Sequence, residues 1–198
     1  KALNNAAICY TWSDRPRAAG KIYQRIVAEY PKSEFADQAL FLMAGSAEAS
    51  YDFDRAVENY LKLVENYPDS KFRADAMFNA ALALEGDRQY KKSAQLYERY
   101  ATLFPDRADA AENFFHAGRL LEKAGAFREE IELYQRFIKR YHRDPAQRER
   151  VVMALGRICY ARSEMKDTEN TRKACQETVK AFEAYKLAPG GQAAEEAA

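Results

Sequence analysis

Phe53-Asp54-Arg55-Ala56-Val57-Glu58-Asn59-Tyr60-Leu61-Lys62-Leu63-Val64-Glu65-Asn66-Tyr67-Pro68 is the stretch on which the fold turns. Ala56, Val57, Tyr60, Leu61, Leu63 and Val64 recur at the three-and-four spacing of one helical face. Pro68 disfavours helical geometry at Tyr67, so the spacing predicts a helix from Asp54 to Tyr67, with Asp52 or Asp54 able to cap it. Just upstream, Ser33 to Ala49 repeats the pattern through Leu40, Met43, Ala44 and Ala47 and opens on a serine suited to N-capping. The two runs together predict an antiparallel helical hairpin.

A fixed step outward from this hairpin reproduces it. Tyr30-Pro31, Tyr67-Pro68, Phe104-Pro105 and Tyr141-His142 lie 37 residues apart. The same step relates Tyr23, Tyr60, Tyr97 and Tyr134, then Phe53, Tyr90 and Phe127, then Leu40, Met77, Phe114 and Val151. Such a period marks stacked hairpins, each burying its apolar face against its neighbours. Ala44 with Ala56, and Ala81 with Ser93, place small residues where paired helices approach closely. Glu130, paired with Gly118, departs from that rule and is expected to loosen its hairpin or to point outward.

Composition supports the same reading. The 198 residues carry 31 Lys+Arg against 30 Asp+Glu, a net charge of +1, and only eight Gly and six Pro, which favours an all-α chain. Near-neutrality removes the surplus of cations that phosphate neutralisation needs, so no nucleic-acid partner is expected. No apolar run approaches the ~20 residues of a transmembrane helix. Two histidines, three scattered cysteines and carboxylates spread over helix surfaces assemble no active site. Zinc, phosphate-loop and dinucleotide motifs are absent from the sequence. The expectation is a protein that is not an enzyme and takes no cofactor or metal.

The columns Leu40, Met43-Ala44, Ala47, Phe53, Ala56, Tyr60, Leu63 and Pro68, and likewise Phe114, Ala117-Gly118, Leu121, Gly125, Phe127, Tyr134 and Phe137, resemble the tetratricopeptide repeat. That resemblance implies an α-solenoid, a right-handed superhelix of about five hairpins at approximately 1–31, 32–68, 69–105, 106–142 and 143–189. A single array over 1–189 would then precede a tail or linker at 190–198. The longer period and the pattern Tyr-Pro-x-Ser-x-Phe-x-x-x-Ala, from Pro31 to Ala39 and from Pro68 to Ala76, are similar to repeats of bacterial outer-membrane and periplasmic proteins. This implies the periplasm or an outer-membrane association, with the cytoplasm as the alternative.

In such arrays the first helices line a concave groove that holds a partner peptide or helix. Helical spacing from the buried positions puts Gln38 and Phe41, then Asp75, Phe78, Asn79 and Leu82, then Glu112, Phe115, His116 and Arg119, then Val152 and Met153 on that face. Phe41, Phe78, Phe115 and Val152 form one column, read either as partner anchors or as rings packed on the neighbouring hairpin. The family's basic-and-Asn clamp for a C-terminal carboxylate is missing apart from Asn79 and Arg119. Lys139, Arg140, His142, Arg143, Arg148 and Arg150 form a basic run around a loop, read as a solvated face or, alternatively, as a contact for an acidic partner or lipid head groups. Cys159 and Cys175 fall on the two helices of the last hairpin, as a candidate disulfide or as two buried thiols. The function expected is a protein-interaction scaffold in a cell-envelope assembly. The alternatives are a self-associating or spacer array, giving a homo-oligomer, and the regulatory array of an enzyme encoded elsewhere.

Overall fold

In a computed structural model, described for residues 1–13 and 15–185, the chain forms ten α-helices and one 3-10 turn, with no strand among the described residues. The helices are α1 (Ala2–Trp12), α2 (Pro16–Glu29), α3 (Ala36–Glu48), α4 (Phe53–Asn66), α5 (Arg73–Gly86), α6 (Tyr90–Leu103), α7 (Ala110–Lys123), α8 (Phe127–Tyr141), α9 (Arg148–Glu164) and α10 (Thr168–Tyr185). The 3-10 turn, Pro145–Gln147, precedes α9. The expected tail over 190–198, and the end of the expected fifth hairpin, lie outside the described residues. The chain divides into two compact units, Lys1–Leu96 and the residues from Tyr97 onward, with the division inside α6. In the first unit α1 packs on α2, α2 on α3, α3 on α4 and α4 on α5. In the second, α7 packs on α8, α8 on α9 and α9 on α10.

One turn closes the hairpins. Tyr51, Arg88, Gly125 and Lys166 all sit at a φ near +60°, the left-handed region that ends a helix. At each, the residue itself donates to the carbonyl three back (Tyr51 to Glu48, 2.9 Å; Gly125 to Glu122, 2.8 Å), and the next donates five back (Asp52 to Ala47, 2.9 Å; Ala126 to Leu121, 2.9 Å). This Schellman arrangement satisfies carbonyls that a helix end leaves open. Asp52 then caps α4 by accepting from the Arg55 backbone N–H at 3.3 Å. Ser33 acts differently from expectation: α3 begins at Ala36, and the Ser33 hydroxyl accepts from the Phe35 N–H at 3.3 Å, shaping the turn before the helix.

The turn residues fix the register, and they correct one part of the sequence reading. Tyr51, Arg88 and Gly125 are 37 apart, but Lys166 follows Gly125 by 41. The four extra residues, about one helical turn, lengthen the helices on either side of the 3-10 turn: α8 has 15 residues against 14 in α6, and α9 has 17 against 14 in α7. Positions in the last hairpin therefore correspond to the previous one at a step of 41. Val152 corresponds to Ala111 and Ala74, all three buried, and has no place in the phenylalanine column. The fourth member of that column is Gly156, and Met153 belongs with Gln38, Asp75 and Glu112.

The new register gives the disulfide a meaning. Ala7 and Tyr23, Ala44 and Tyr60, and Gly118 and Tyr134 are pairs 16 residues apart that join a small residue of the first helix to a tyrosine of the second, and at Gly118 the Tyr134 ring lies directly against the glycine. All six are buried. Cys159 and Cys175 hold this pair of positions in the last hairpin, also 16 apart, and are joined by a disulfide with Cα atoms 5.1 Å apart. A covalent bond thus stands where the others have a ring, in a hairpin whose second helix buries only Ala174 and Thr178. Cys9 is free and exposed.

Glu130 does not point outward; it is fully buried. The corresponding Ser93 shows how a polar group is tolerated there, its hydroxyl donating to the Ala81 carbonyl at 2.7 Å. Opposite Glu130, the absence of a side chain at Gly118 gives the Tyr134 ring its room: a Cβ there would lie inside contact distance of three of its atoms. Gly45 differs, since a Cβ there would meet only the Tyr60 hydroxyl, at 3.8 Å.

These contacts set opposite expectations for two mid-helix glycines. Gly118→Ala should destabilise the protein by about 1–3 kcal/mol through overpacking, whereas Gly45→Ala should stabilise it by up to about 1 kcal/mol through helix propensity; urea unfolding measures both. Thiol titration of unfolded, unreduced protein should find the Cys9 thiol alone, and three reactive thiols would contradict the Cys159–Cys175 bond. Reduction should remove about 3 kcal/mol of stability from the closed loop.

Candidate functional site

The candidate surface is the outward side of the first helices, and each unit presents its own. In the first unit α3 and α5 supply it, and the buried Tyr60 of α4 connects them. Its hydroxyl donates to Glu48 of α3 at 3.1 Å and accepts from the Asn79 amide of α5 at 3.4 Å. Burial, reinforced by the nearby Glu48 carboxylate, pushes the Tyr60 phenol up to about 12, so it remains a donor at any physiological pH. The Phe41 ring stacks on Phe72 with centroids 5.2 Å apart and meets Tyr60 edge-on at 5.6 Å. Phe72 comes from the Tyr-Pro-x-Ser-x-Phe turn, which supplies the ring that holds the next one in place.

Around this framework the predicted residues separate by exposure. Gln38, Phe41, Phe78 and Asn79 are half-buried, and Asp75 is exposed. Leu82 is 44% exposed, and Leu42, on the same side of α3, is 38% exposed. The first unit therefore presents two open leucines among an amide, a carboxylate and partly covered rings. At the N-terminal ends of α3 and α5 lie the acidic residues Glu34, Asp37 and Asp69, where the Ser70 hydroxyl donates to Asp37 at 2.6 Å and the Tyr67 hydroxyl to the Pro31 carbonyl at 2.8 Å. These bonds hold one inter-helix turn to the next.

The second unit is built differently. Phe115 is only 6% exposed and packs on Tyr134 at 5.2 Å and Phe137 at 5.6 Å, so its ring belongs to the core. Val152 is wholly buried. Neither offers a partner any surface, and Gly156 has no ring to offer. His116 is half-buried, edge-on to Tyr97 with centroids 5.1 Å apart. Glu112 and Arg119 are exposed and Met153 is half-buried. Charged pairs link α7 to α9: Glu122 with Arg157 at 3.3 Å and, more loosely, Glu112 with Arg150 at 3.9 Å. Arg150, read from the sequence as part of a solvated face, pairs with Glu112, and Arg157 was missed; the signal for both is an opposite charge about one period away. No group of ligands able to hold a metal occurs among the described residues.

A model of the tetratricopeptide repeat family matches residues 2–33, 38–70, 75–107 and 112–141. The unmatched hairpin is the one shifted by four residues. Among solved structures, the crystal structure of MamA protein is 15% identical, with a TM-score of 0.50, over 96% of this chain and 97% of that one. YrrB, described as a TPR protein with an unusual peptide-binding site, is 14% identical at a TM-score of 0.49, over 93% and 91%. The TPR-like repeats of a Podosopora anserina kinesin light chain are 14% identical at 0.46, over 93% of each chain. The likeness to MamA shows a shared fold, an all-α solenoid of helical hairpins. No curated protein sequence matches the chain.

The contrast between the units sets a measurable difference. Phe115→Asp should cost at least about 3 kcal/mol, because it puts a carboxylate among rings. Leu82→Asp should change stability by no more than about 0.5 kcal/mol. Thermal and urea denaturation compare the two directly.

Proposed function

The chain belongs to the tetratricopeptide repeat family, whose members are typically non-enzymatic scaffolds that bind protein partners, and from that premise we propose that it holds a peptide or helix on the α3–α5 face of its first unit. One observation carries this reading: Leu42 and Leu82 stand open beside Gln38, Asp75 and Asn79, over a base fixed by the Tyr60 hydrogen bonds. Burying two leucines supplies affinity, the amides and the carboxylate supply orientation, and a base already ordered keeps the entropic cost of binding low. Phe41 contributes an edge of its ring and Phe78 a partly covered one; Phe115, Val152 and Gly156 are outside the binding surface on this reading. Rings of the phenylalanine column thus reach the binding surface in the first unit.

We place the protein in an oxidising compartment, the periplasm or the periplasmic side of an outer membrane. Cys159–Cys175 supports this, since such bonds persist there and are reduced in the cytosol. Among the described residues no helix is long and apolar enough to cross a membrane. The envelope-like turn pattern from Pro31 to Ala39 and from Pro68 to Ala76 supports the same setting.

In-cell crosslinking followed by purification tests the face. Wild type should retain a partner that Leu42→Glu/Leu82→Glu loses by at least about tenfold, a change of the size expected for losing two apolar anchors. Recovery of the same partners in equal amount would refute the assignment to this face.

A further inference from the structure

A second kind of groove occurs on the opposite helices, and the chain contains it twice with matched lining. In the first unit it lies between α2 and α4 across α3, about 270 Å³ in volume; in the second it lies between α8 and α10 across α9, about 420 Å³. Gln24, Val27 and Ala28 of the first wall correspond to Gln135, Ile138 and Lys139. In the register set by the turns, Leu40 and Met43 of the floor correspond to Leu155 and Ile158. Glu58, Asn59 and Lys62 of the other wall correspond to Lys173, Ala174 and Glu177. The groove itself is a product of the repeat. The substitutions within it are particular to the last hairpin, and the first copy serves as an internal reference for them.

Two differences matter. Ala174 in place of Asn59 shortens a side chain of the wall, and the second groove is the larger of the two. The charge also changes. In the first groove the Lys62 ammonium donates to Glu58 at 2.6 Å, neutralising both. In the second, lysines replace Ala28 and Glu58 while Asn170 replaces Arg55 and Glu177 replaces Lys62, so a lysine now stands on each wall; Arg162, at the rim, is itself paired with Asp167 at 3.3 Å. Lys139 and Lys173 are exposed and make no ion pair among the described residues. They stand on opposite walls, with the apolar side chains of Leu155 and Ile158 between them. Glu177, one turn beyond Lys173, makes the far end of that wall unfavourable to a second anion and so gives the groove a direction.

We propose that the groove between α8 and α10 binds an acidic amphipathic peptide segment of a partner protein. An apolar side chain lies on Leu155 and Ile158, and a carboxylate on each flank reaches Lys139 and Lys173. The placement of the lysines selects this occupant. Carboxylates on both sides of an apolar group satisfy both walls, whereas an amphiphile with a single head group satisfies one. The volume is that of a site for a few side chains. This site uses the second helices and does not rest on the α3–α5 face.

Fluorescence anisotropy with a labelled Glu-Leu-Glu-Glu-Leu-Glu peptide tests it on the intact chain. Binding should weaken on the order of tenfold in Lys139→Glu/Lys173→Glu, survive in Lys139→Arg/Lys173→Arg, and be unchanged in Lys62→Glu of the first groove. All of these positions are exposed, and circular dichroism verifies that each variant is folded. The proposal is overturned if the double reversal leaves affinity unchanged, if a Lys-Leu-Lys-Lys-Leu-Lys peptide binds as well, or if dodecanoate binds at these lysines and the acidic peptide does not.

Discussion

A buried tyrosine paired with a small residue 16 positions before it recurs from hairpin to hairpin, with the ring laid directly on Gly118 in one of them, and most other features follow from this pairing. The Schellman turn fixes the distance, placing the ring 16 positions after the small residue, so that each tyrosine meets its partner across the helix pair. Close approach brings side chain within reach of backbone, so that the Ser93 hydroxyl donates to the Ala81 carbonyl. The tyrosine hydroxyl becomes available to neighbouring helices. Tyr60 uses it to join α3, α4 and α5, and a packing contact thereby sets the position of the surface beside it.

The two units then diverge in what they can offer a partner. In the first, the rings are only partly covered and leucines remain open on the first helices. In the second, Phe115 has been drawn into the core, α7 and α9 are linked by carboxylate–guanidinium pairs, and the open chemistry lies on the second helices, in a larger groove with a lysine on each wall. Repetition supplies equivalent positions; substitution at those positions makes them different. A repeat array can in this way carry two unrelated recognition surfaces on one packing scheme.

The hairpins, their turns and the tyrosine column were legible because each depends on local spacing repeated several times. Pro68 and its counterparts mark the ends of helices, and the three-and-four pattern marks their buried faces. The last hairpin was misread for a physical reason: four residues added around Pro145 shift the register by one helical turn, and a turn's shift preserves the apolar pattern. Val152 therefore looked like a member of the phenylalanine column while corresponding to Ala111. Burial of Phe115 was illegible for another reason, since a ring at the margin of a helical face packs inward or outward according to neighbours distant in sequence. Glu130 was misjudged because its burial depends on how the neighbouring helices pack, which local spacing does not carry. The Arg157–Glu122 and Arg150–Glu112 pairs require the stacking of α7 on α9 to be known.

The last hairpin allows the packing rule to be transplanted. If the disulfide stands where a tyrosine and a small residue stand elsewhere, then Cys159→Ala/Cys175→Tyr recreates the common pair without a covalent bond. The most direct measurement compares its melting temperature with that of Cys159→Ser/Cys175→Ser under reducing conditions. The account predicts a clearly higher melting temperature for the alanine–tyrosine variant, approaching that of the oxidised protein. A variant no more stable than the serine pair would contradict the claim that this ring contact holds the hairpins together.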